Sequence, residues 1–270
     1  MIDRDRIVEL ERVIARQERR FAEALSRLDP SWGTITFDLA DGAAVLGGPG
    51  LFVNRVFALG LDGEVTSHEL DSFETRAREV GVPPSVECTD ATRPRVRSML
   101  DDRGYELDFS ASVLVRELDP HHDERTGENI VVDLIAAEKL ESWQETAAAG
   151  FEIADPLRRR ASDVFARVAM EIDDPGPMLA RSVDDGRLLG CSTLKIDDGV
   201  ATLGGMATLP DERRQGVQSA MIRHRLHLAH AAGCNLALTQ ATTDGASERN
   251  VLRHGFRRAY VKAVVTLPDR

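Results

Sequence analysis

The most informative stretch of the sequence is Thr208-Leu209-Pro210-Asp211-Glu212-Arg213-Arg214-Gln215-Gly216-Val217-Gln218-Ser219-Ala220. The residues before it have the pattern of a strand, and those after it have the pattern of a helix. A strand that enters a helix through a glycine-containing turn presents unpaired backbone N–H groups and the positive end of the helix dipole. These groups bind a pyrophosphate well.

Side chains in the same turn favour a phosphate ligand. Gly216 has no Cβ, so a ligand can approach its backbone closely. Arg213 and Arg214 can add charge-assisted hydrogen bonds to phosphate oxygens. The turn therefore predicts a site for a phosphate-bearing molecule.

The flanking sequence predicts a mixed sheet. Asp184-Asp185-Gly186 and Asp197-Asp198-Gly199 are hairpin signals that separate three strand-like runs before the turn. Gly204-Gly205, inside the third run, predicts a bulge or a close approach to another chain-like group. A helix to Ala232, a strand, a short helix and a final strand to Thr266 follow the turn.

The first half of the chain has its own helix and strand signals. Apolar residues at helical spacing predict one amphipathic helix, which we interpret as covering its own domain rather than forming a dimer seam. They are Ile7, Leu10, Ile14, Phe21, Leu25 and Leu28. Runs at 43–46 and 52–61 predict strands, and a helix is expected from about Ser67 to Val80.

The two halves share a pattern that indicates a duplication. At an offset of 151 residues, Gly104, Tyr105, Phe109 and Val113 match Gly255, Phe256, Tyr260 and Val264. Gly81 matches Gly233 at nearly the same offset, and each glycine ends a predicted helix before a strand. The chain is therefore predicted to hold two copies of one fold.

The second half resembles the GNAT acyltransferase superfamily, whose signature is a strand, a proline and Arg-x-x-Gly-x-Gly/Ala at the start of a helix. Arg213 and Gly216 fit this signature, and the resemblance continues through Ser247-Glu248-Arg249-Asn250 to His254-Gly255-Phe256. It implies an α/β protein of two GNAT-like domains, each a mixed, mostly antiparallel twisted sheet flanked by helices.

The resemblance also implies a ligand and the residues that hold it. Acetyl-CoA would bind as co-substrate, with its pantetheine arm beside the end of a strand and its pyrophosphate on the following turn. The residues implied are Met206, Ala207, Thr208, Arg213, Arg214, Gln215, Gly216, Val217, Gln218, Ser219 and Asn250. The implied reaction is direct transfer of an acetyl group to an amine of a small-molecule or peptide acceptor.

Two positions depart from the family pattern. Gln218 stands where a second glycine or alanine is usual, and Val251 stands where many relatives carry a tyrosine that protonates the departing thiolate. Tyr260 lies on the next strand, where packing is the expected role. No catalytic residue is identified, so a non-catalytic acyl-CoA-binding or sensing module is the alternative, and an assembly subunit that binds no CoA is a third reading.

The first copy lacks the basic turn. It has Asp62-Gly63-Glu64-Val65-Thr66-Ser67 at the matching place, and Glu64 would repel phosphate. We therefore expect a degenerate GNAT-like domain without a CoA cradle at residues 1–120, a linker at 121–128, and the acyl-CoA-binding domain at 129–270.

The composition excludes several classes of partner and location. A formal net charge of −11 argues against binding along a nucleic-acid backbone. The sequence has neither an apolar run long enough for a membrane span nor a signal-peptide pattern, so we expect a cytoplasmic protein. A monomer or a homodimer is expected. The spacing of His224, His227 and His230 is unsuited to a zinc pair, so no metal is expected.

Overall fold

A computed structural model describes residues 2–118, 129–172 and 174–268 of the chain. Its α-helices are α1 Arg4–Leu28, α2 Ser67–Glu79, α3 Pro94–Arg103, α4 Leu140–Gly150, α5 Pro156–Ile172, α6 Val217–Ala231 and α7 Ala246–Arg253. Its strands are β1 Ile35–Leu39, β2 Gly42–Leu46, β3 Arg55–Phe57, β4 Ser85–Cys88, β5 Glu106–Glu117, β6 Ile130–Leu134, β7 Pro175–Ser182, β8 Leu188–Asp197, β9 Val200–Thr208, β10 Leu236–Thr242 and β11 Arg257–Thr266.

The chain forms two compact units. The first contains the residues up to Val113 together with Ala241–Gly245 and the segment from Arg258 onward. The second contains Leu114–Gln240 and Ala246–Arg257. The predicted linker at 121–128 lies outside the described residues, and the predicted domain boundaries stay a prediction.

The first unit contains a sheet in the order β1-β2-β3-β4-β11. β1, β2 and β3 are antiparallel neighbours, whereas β3 and β4 run parallel through the pair Val56 and Val86. β11 is antiparallel to β4, with Val264 opposite Glu87. The last strand of the chain thus completes the sheet that the first strands begin.

Helix α1 covers part of this sheet, as its apolar stripe predicts. Ile7, Leu10, Ile14, Phe21 and Leu25 are all buried, and the helix packs against β1, β2 and β3. The helix also ends at Leu28, just before the Asp-Pro sequence that predicts its end.

Two parts of the first sheet differ from expectation. Strand β1 is not predicted from the sequence, although Asp41-Gly42, where the two-residue loop meets β2, is a turn signal. The strand expected at 52–61 is only Arg55–Phe57. Ala58 and Gly60 have positive φ angles of 56° and 65°, which end the extended conformation.

The second unit contains a sheet in the order β10-β9-β8-β7-β6. Strands β6 to β9 are antiparallel, and β10 runs parallel to β9. Gly186 and Gly199 have positive φ angles in the turns that the Asp-Gly signals predict. Cys191 of β8 packs in a cluster with Trp143 of α4, while a Cβ at the neighbouring Gly190 would face side chains of α6. Because alternate strand residues point to opposite faces, α4 and α6 cover opposite faces of this sheet.

The order of elements repeats. The series β1-β2-β3-α2-β4-α3-β5 and β7-β8-β9-α6-β10-α7-β11 have the same sequence of strands and helices. In each series three antiparallel strands lead to one parallel pair. Gly81, Gly104, Gly233 and Gly255 all have φ between 74° and 84°, so the matched glycines share one conformation. The α/β fold class with mostly antiparallel sheets flanked by helices is confirmed.

A buried ionic cluster joins α1, β4 and β11 inside the first unit. Lys262 Nζ lies 2.7 Å from Glu87 Oε2 and 3.3 Å from Glu11 Oε1, and Tyr260 donates its hydroxyl to Glu11 over 2.6 Å. Burial alone would lower the pKa of Lys262, but the two carboxylates outweigh it and raise this pKa. Lys262 therefore stays protonated, and its positive charge stabilises the two buried carboxylates.

We expect Lys262→Met to lower the free energy of unfolding by about 3–5 kcal/mol, because it removes the buried cation that contacts both Glu11 and Glu87. Arg12→Met is the control, since Arg12 pairs with Asp62 at the surface and its loss should cost under about 1 kcal/mol. Urea denaturation of both variants measures the difference. Equal losses would contradict the role given to the cluster.

Candidate functional site

The central feature of the second unit is a divergence between two parallel strands. The pairs that join β9 to β10 are Val200 with Leu236, Ala201 with Ala237, and Thr202 with Leu238. Both strands lie wholly within the described part of the chain, and β9 continues beyond these pairs to Thr208. Thr239 of β10 also donates its hydroxyl to the carbonyl oxygen of Leu203 over 2.8 Å. The residues of β9 after Leu203 therefore carry backbone groups on the β10 side that the ladder does not pair.

A bulge lies in β9 just after the strands part. Cys191 of β8 is opposite Ala207, whereas Thr193, two residues later in β8, is opposite Gly204, three residues earlier in β9. The extra residue lies at Gly205 and its neighbours, and Gly205 has a positive φ of 54°. The bulge that Gly204-Gly205 predicts is present, and it turns the local backbone groups out of the regular ladder.

The turn after β9 exposes the start of α6. Arg213, Arg214, Gln215 and Gly216 are all exposed. Gly216 is the N-cap of α6 with a φ of 85°, and no side chain of the described residues caps the helix. A Cβ at Gly216 would meet none of their atoms within 4 Å, so the space in front of the helix is open. The first N–H groups of α6 therefore have neither an intrahelical acceptor nor a side-chain cap.

Two of the predicted side chains in this turn bond to the protein itself. Arg213 donates to the carbonyl oxygen of Gly150 and to Glu152, both over 3.1 Å. Gln215 donates back to the carbonyl oxygen of Asp211 over 3.0 Å. These bonds shape the turn, so its open donors are backbone N–H groups and the exposed side chain of Arg214.

The remaining predicted residues lie on α6, α7 and the end of β9. Val217 and Ala207 are buried, so only their backbones are available to a ligand. Ser219 Oγ lies 2.9 Å from His254 Nε2, which brings the end of α7 beside the first turn of α6. Asn250 on α7 accepts a hydrogen bond from Arg253 over 3.1 Å. The assignment of these residues to a ligand stays a prediction.

Comparison with known proteins identifies the family of this region. Residues 137–256 match the family model described as the Acetyltransferase (GNAT) family. These residues form a GNAT acetyltransferase domain. Among curated proteins, none matches the chain significantly.

Solved structures that resemble the chain extend beyond the GNAT domain. A GCN5-related N-acetyltransferase from Kribbella flavida is 19% identical with a TM-score of 0.66, over 95% of this chain and 96% of its own. A similar protein from Sphaerobacter thermophilus is 12% identical with a TM-score of 0.60, over 90% of this chain and 84% of its own. A tandem GNAT protein from the clavulanic acid biosynthesis pathway is 14% identical with a TM-score of 0.58, over 85% of this chain and 80% of its own. At these identities the likeness shows the fold alone.

The helix that corresponds to α6 in the first unit begins differently. Thr66 caps α2 and accepts a hydrogen bond from the Glu69 N–H, while the Glu69 carboxylate accepts from the Thr66 N–H over 2.8 Å. This capping box occupies the end of α2 with the chain's own groups. A carboxylate therefore stands where the GNAT domain has an open helix end.

One residue beside the bulge of the GNAT domain is not among the predicted site residues. Arg225 of α6 is only 1% exposed, and its guanidinium reaches the carbonyl oxygens of Thr193 and Gly204. The sequence signal that could point to Arg225 is a charged residue between the apolar Ile222 and Leu226, on a helix that packs against the sheet. That signal is detectable only after the buried face of α6 is assigned.

Two other features of the described residues concern ligands and membranes. They contain no group of three or more His, Cys, Asp or Glu side chains that could hold a metal ion. Within the same residues, no helix is long and apolar enough to cross a membrane.

We expect Gly190→Ala to destabilise the GNAT domain by about 1–3 kcal/mol, because the added methyl group overpacks this site. A Cβ at Gly190 would lie 2.5 Å from the carbonyl oxygen of Ala207 in β9. Gly186→Ala is the comparison for backbone strain alone, since its φ of 73° strains an alanine by about 1–2 kcal/mol although its Cβ would meet no atom of the described residues within 4 Å. Thermal unfolding of both variants tests this, and an equal or larger loss for Gly186→Ala would contradict it.

Proposed function

We propose that this chain is an N-acyltransferase that transfers an acetyl group from acetyl-CoA directly to an amine. The observation that carries the proposal is the continuity of the unpaired edge of β9 with the uncapped N-terminus of α6. The edge offers backbone hydrogen bonds to an extended amide-containing arm, and the helix end offers N–H groups to a pyrophosphate. The pantetheine arm and the pyrophosphate of acetyl-CoA are joined in this order.

The proposed position of acetyl-CoA follows from that track. Met206, Ala207 and Thr208 would contact the pantetheine arm through their backbones. Gly216 and the first turn of α6 would hold the pyrophosphate. Arg214 is exposed in the same turn and can add a charge-assisted contact.

The reaction needs no covalent enzyme intermediate. The amine nitrogen attacks the thioester carbon, the carbon–sulfur bond breaks, and the proton lost by the amine ends on the departing CoA sulfur or in solvent. An N-acetyl product and CoA result. The chain contributes positioning and donors to the oxygen that gains charge. Val251 is buried at the place of the usual tyrosine, so no side-chain acid is assigned.

The alternative is a protein that binds acetyl-CoA without turning it over. The buried Val251 favours this alternative, since it removes the side chain that would protonate the leaving thiolate. The acceptor class, the monomeric or homodimeric state, the absence of nucleic-acid partners and the cytoplasmic location remain predictions.

We expect acetyl-CoA to bind with one site per chain, because the capping box of α2 closes the equivalent helix end. Gly216→Glu should abolish binding, since a carboxylate at the N-terminus of α6 repels the pyrophosphate. Gly233→Glu is the matched control: Gly233 lies at the other end of α6, has a positive φ of 76°, and its Cβ would likewise meet no described atom within 4 Å. Isothermal titration measures all three proteins. Binding that survives in Gly216→Glu, or that is lost equally in Gly233→Glu, would contradict the proposed cradle.

Turnover separates the enzyme from the sensing module. We expect acetyl-CoA with a panel of small-molecule and peptide amines to release free CoA thiol faster with wild type than with Gly216→Glu. Thiol release and the mass of the acetylated amine are the measurements. If acetyl-CoA binds but no amine in the panel is acetylated, the result would favour the sensing module.

A further inference from the structure

Arg225 is a buried cation that bonds to the bulge of β9. Its Nη1 donates to the carbonyl oxygens of Thr193 over 3.1 Å and Gly204 over 3.2 Å. Its Nε donates to the carbonyl oxygen of Met221 over 3.1 Å, and its Nη2 lies 2.8 Å from Met206 Sδ. One side chain of α6 thus contacts both strands that form the bulge.

This guanidinium has no carboxylate partner among the described residues. Its hydrogen bonds all go to backbone oxygens and to a sulfur atom. Burying an ion without an opposite charge is costly, and burial lowers the pKa of Arg225 to about 9. An apolar side chain would fill the same face of α6 at a lower cost, since Ile222 and Leu226 beside it are buried there.

The position of the charge relates it to the proposed reaction. Gly204 and Met206 flank the bulge residue Gly205. Met206 is the first of the three residues proposed to contact the pantetheine arm near its thioester. A positive charge in a poorly solvated environment next to this point stabilises negative charge that develops on the thioester oxygen.

We propose that Arg225 is a positioning residue for acyl transfer, which fixes the bulge of β9 and polarises the thioester carbonyl of bound acetyl-CoA. This inference rests on the proposed function. Arginine suits the task because one planar guanidinium can donate to two carbonyl oxygens at once, whereas a lysine ammonium acts as a point charge.

The test uses acetyl-CoA labelled with ¹³C at the thioester carbonyl, so it needs no known acceptor. The full-length variants are Arg225→Met, Arg225→Gln and Arg225→Lys, with Arg223→Met as the control on the same helix. Thermal unfolding checks that each variant is folded, titration gives the Kd for acetyl-CoA, and NMR gives the carbonyl chemical shift of the bound thioester.

We expect the bound carbonyl resonance in wild type to move downfield from that of free acetyl-CoA. Arg225→Met and Arg225→Gln should lose most of this displacement while the Kd stays within about threefold, because the charge acts on the carbonyl more than on overall binding. Arg225→Lys should retain an intermediate displacement, and Arg223→Met should match wild type. If Arg225→Met does not fold, the glutamine variant decides.

A wild-type carbonyl shift in folded Arg225→Gln would overturn the inference and leave the proposed function intact. Loss of acetyl-CoA binding in that variant would also overturn it, since the role would then be in binding. Failure of wild type to bind acetyl-CoA would instead refute the proposed function itself, so the two failures are distinguishable.

Discussion

The parallel pairing of β9 with β10 ends after Thr202 and Leu238, and the candidate site depends on that ending. A continued ladder would satisfy the backbone of β9 and leave no edge for a ligand. The antiparallel pairing with β8 on the other side continues to Thr208, so the open edge is held in place by a strand that remains bonded. The site is therefore an unfilled part of a sheet rather than a cavity between side chains.

The two helix ends show how a repeated order of elements can leave an open helix end in only one of two units. α2 and α6 occupy the same place in the repeated order of elements. Thr66 and Glu69 satisfy the donors of α2 within the helix itself, whereas Gly216 leaves those of α6 open. The difference requires few residues, because capping is a local property that does not alter the packing of the helix.

Much of this arrangement could be predicted from local sequence signals. Asp-Gly turns locate the hairpins, and the Arg213 to Gly216 turn locates the exposed helix end, because glycine in such turns adopts conformations that other residues avoid. The hydrogen bonds of Arg225 could not be predicted, since its partners on β8 and β9 are distant in sequence. The local pattern assigns the Arg213 side chain to phosphate, but its bonds to Gly150 and Glu152 come from tertiary packing that no local pattern reports.

The pairing of β11 with β4 has a consequence for how the protein is made. Val264 lies opposite Glu87, so the first unit depends on a strand that the ribosome synthesises after almost all of the second unit. Contacts so distant in sequence form slowly, because the entropy of closing the long loop between them is lost before the contacts stabilise it. Until β11 is synthesised, the edge of β4 lacks its partner strand, and Glu11 and Glu87 lack their contacts with Lys262. The order of translation thus makes the first half of this chain the last to be completed.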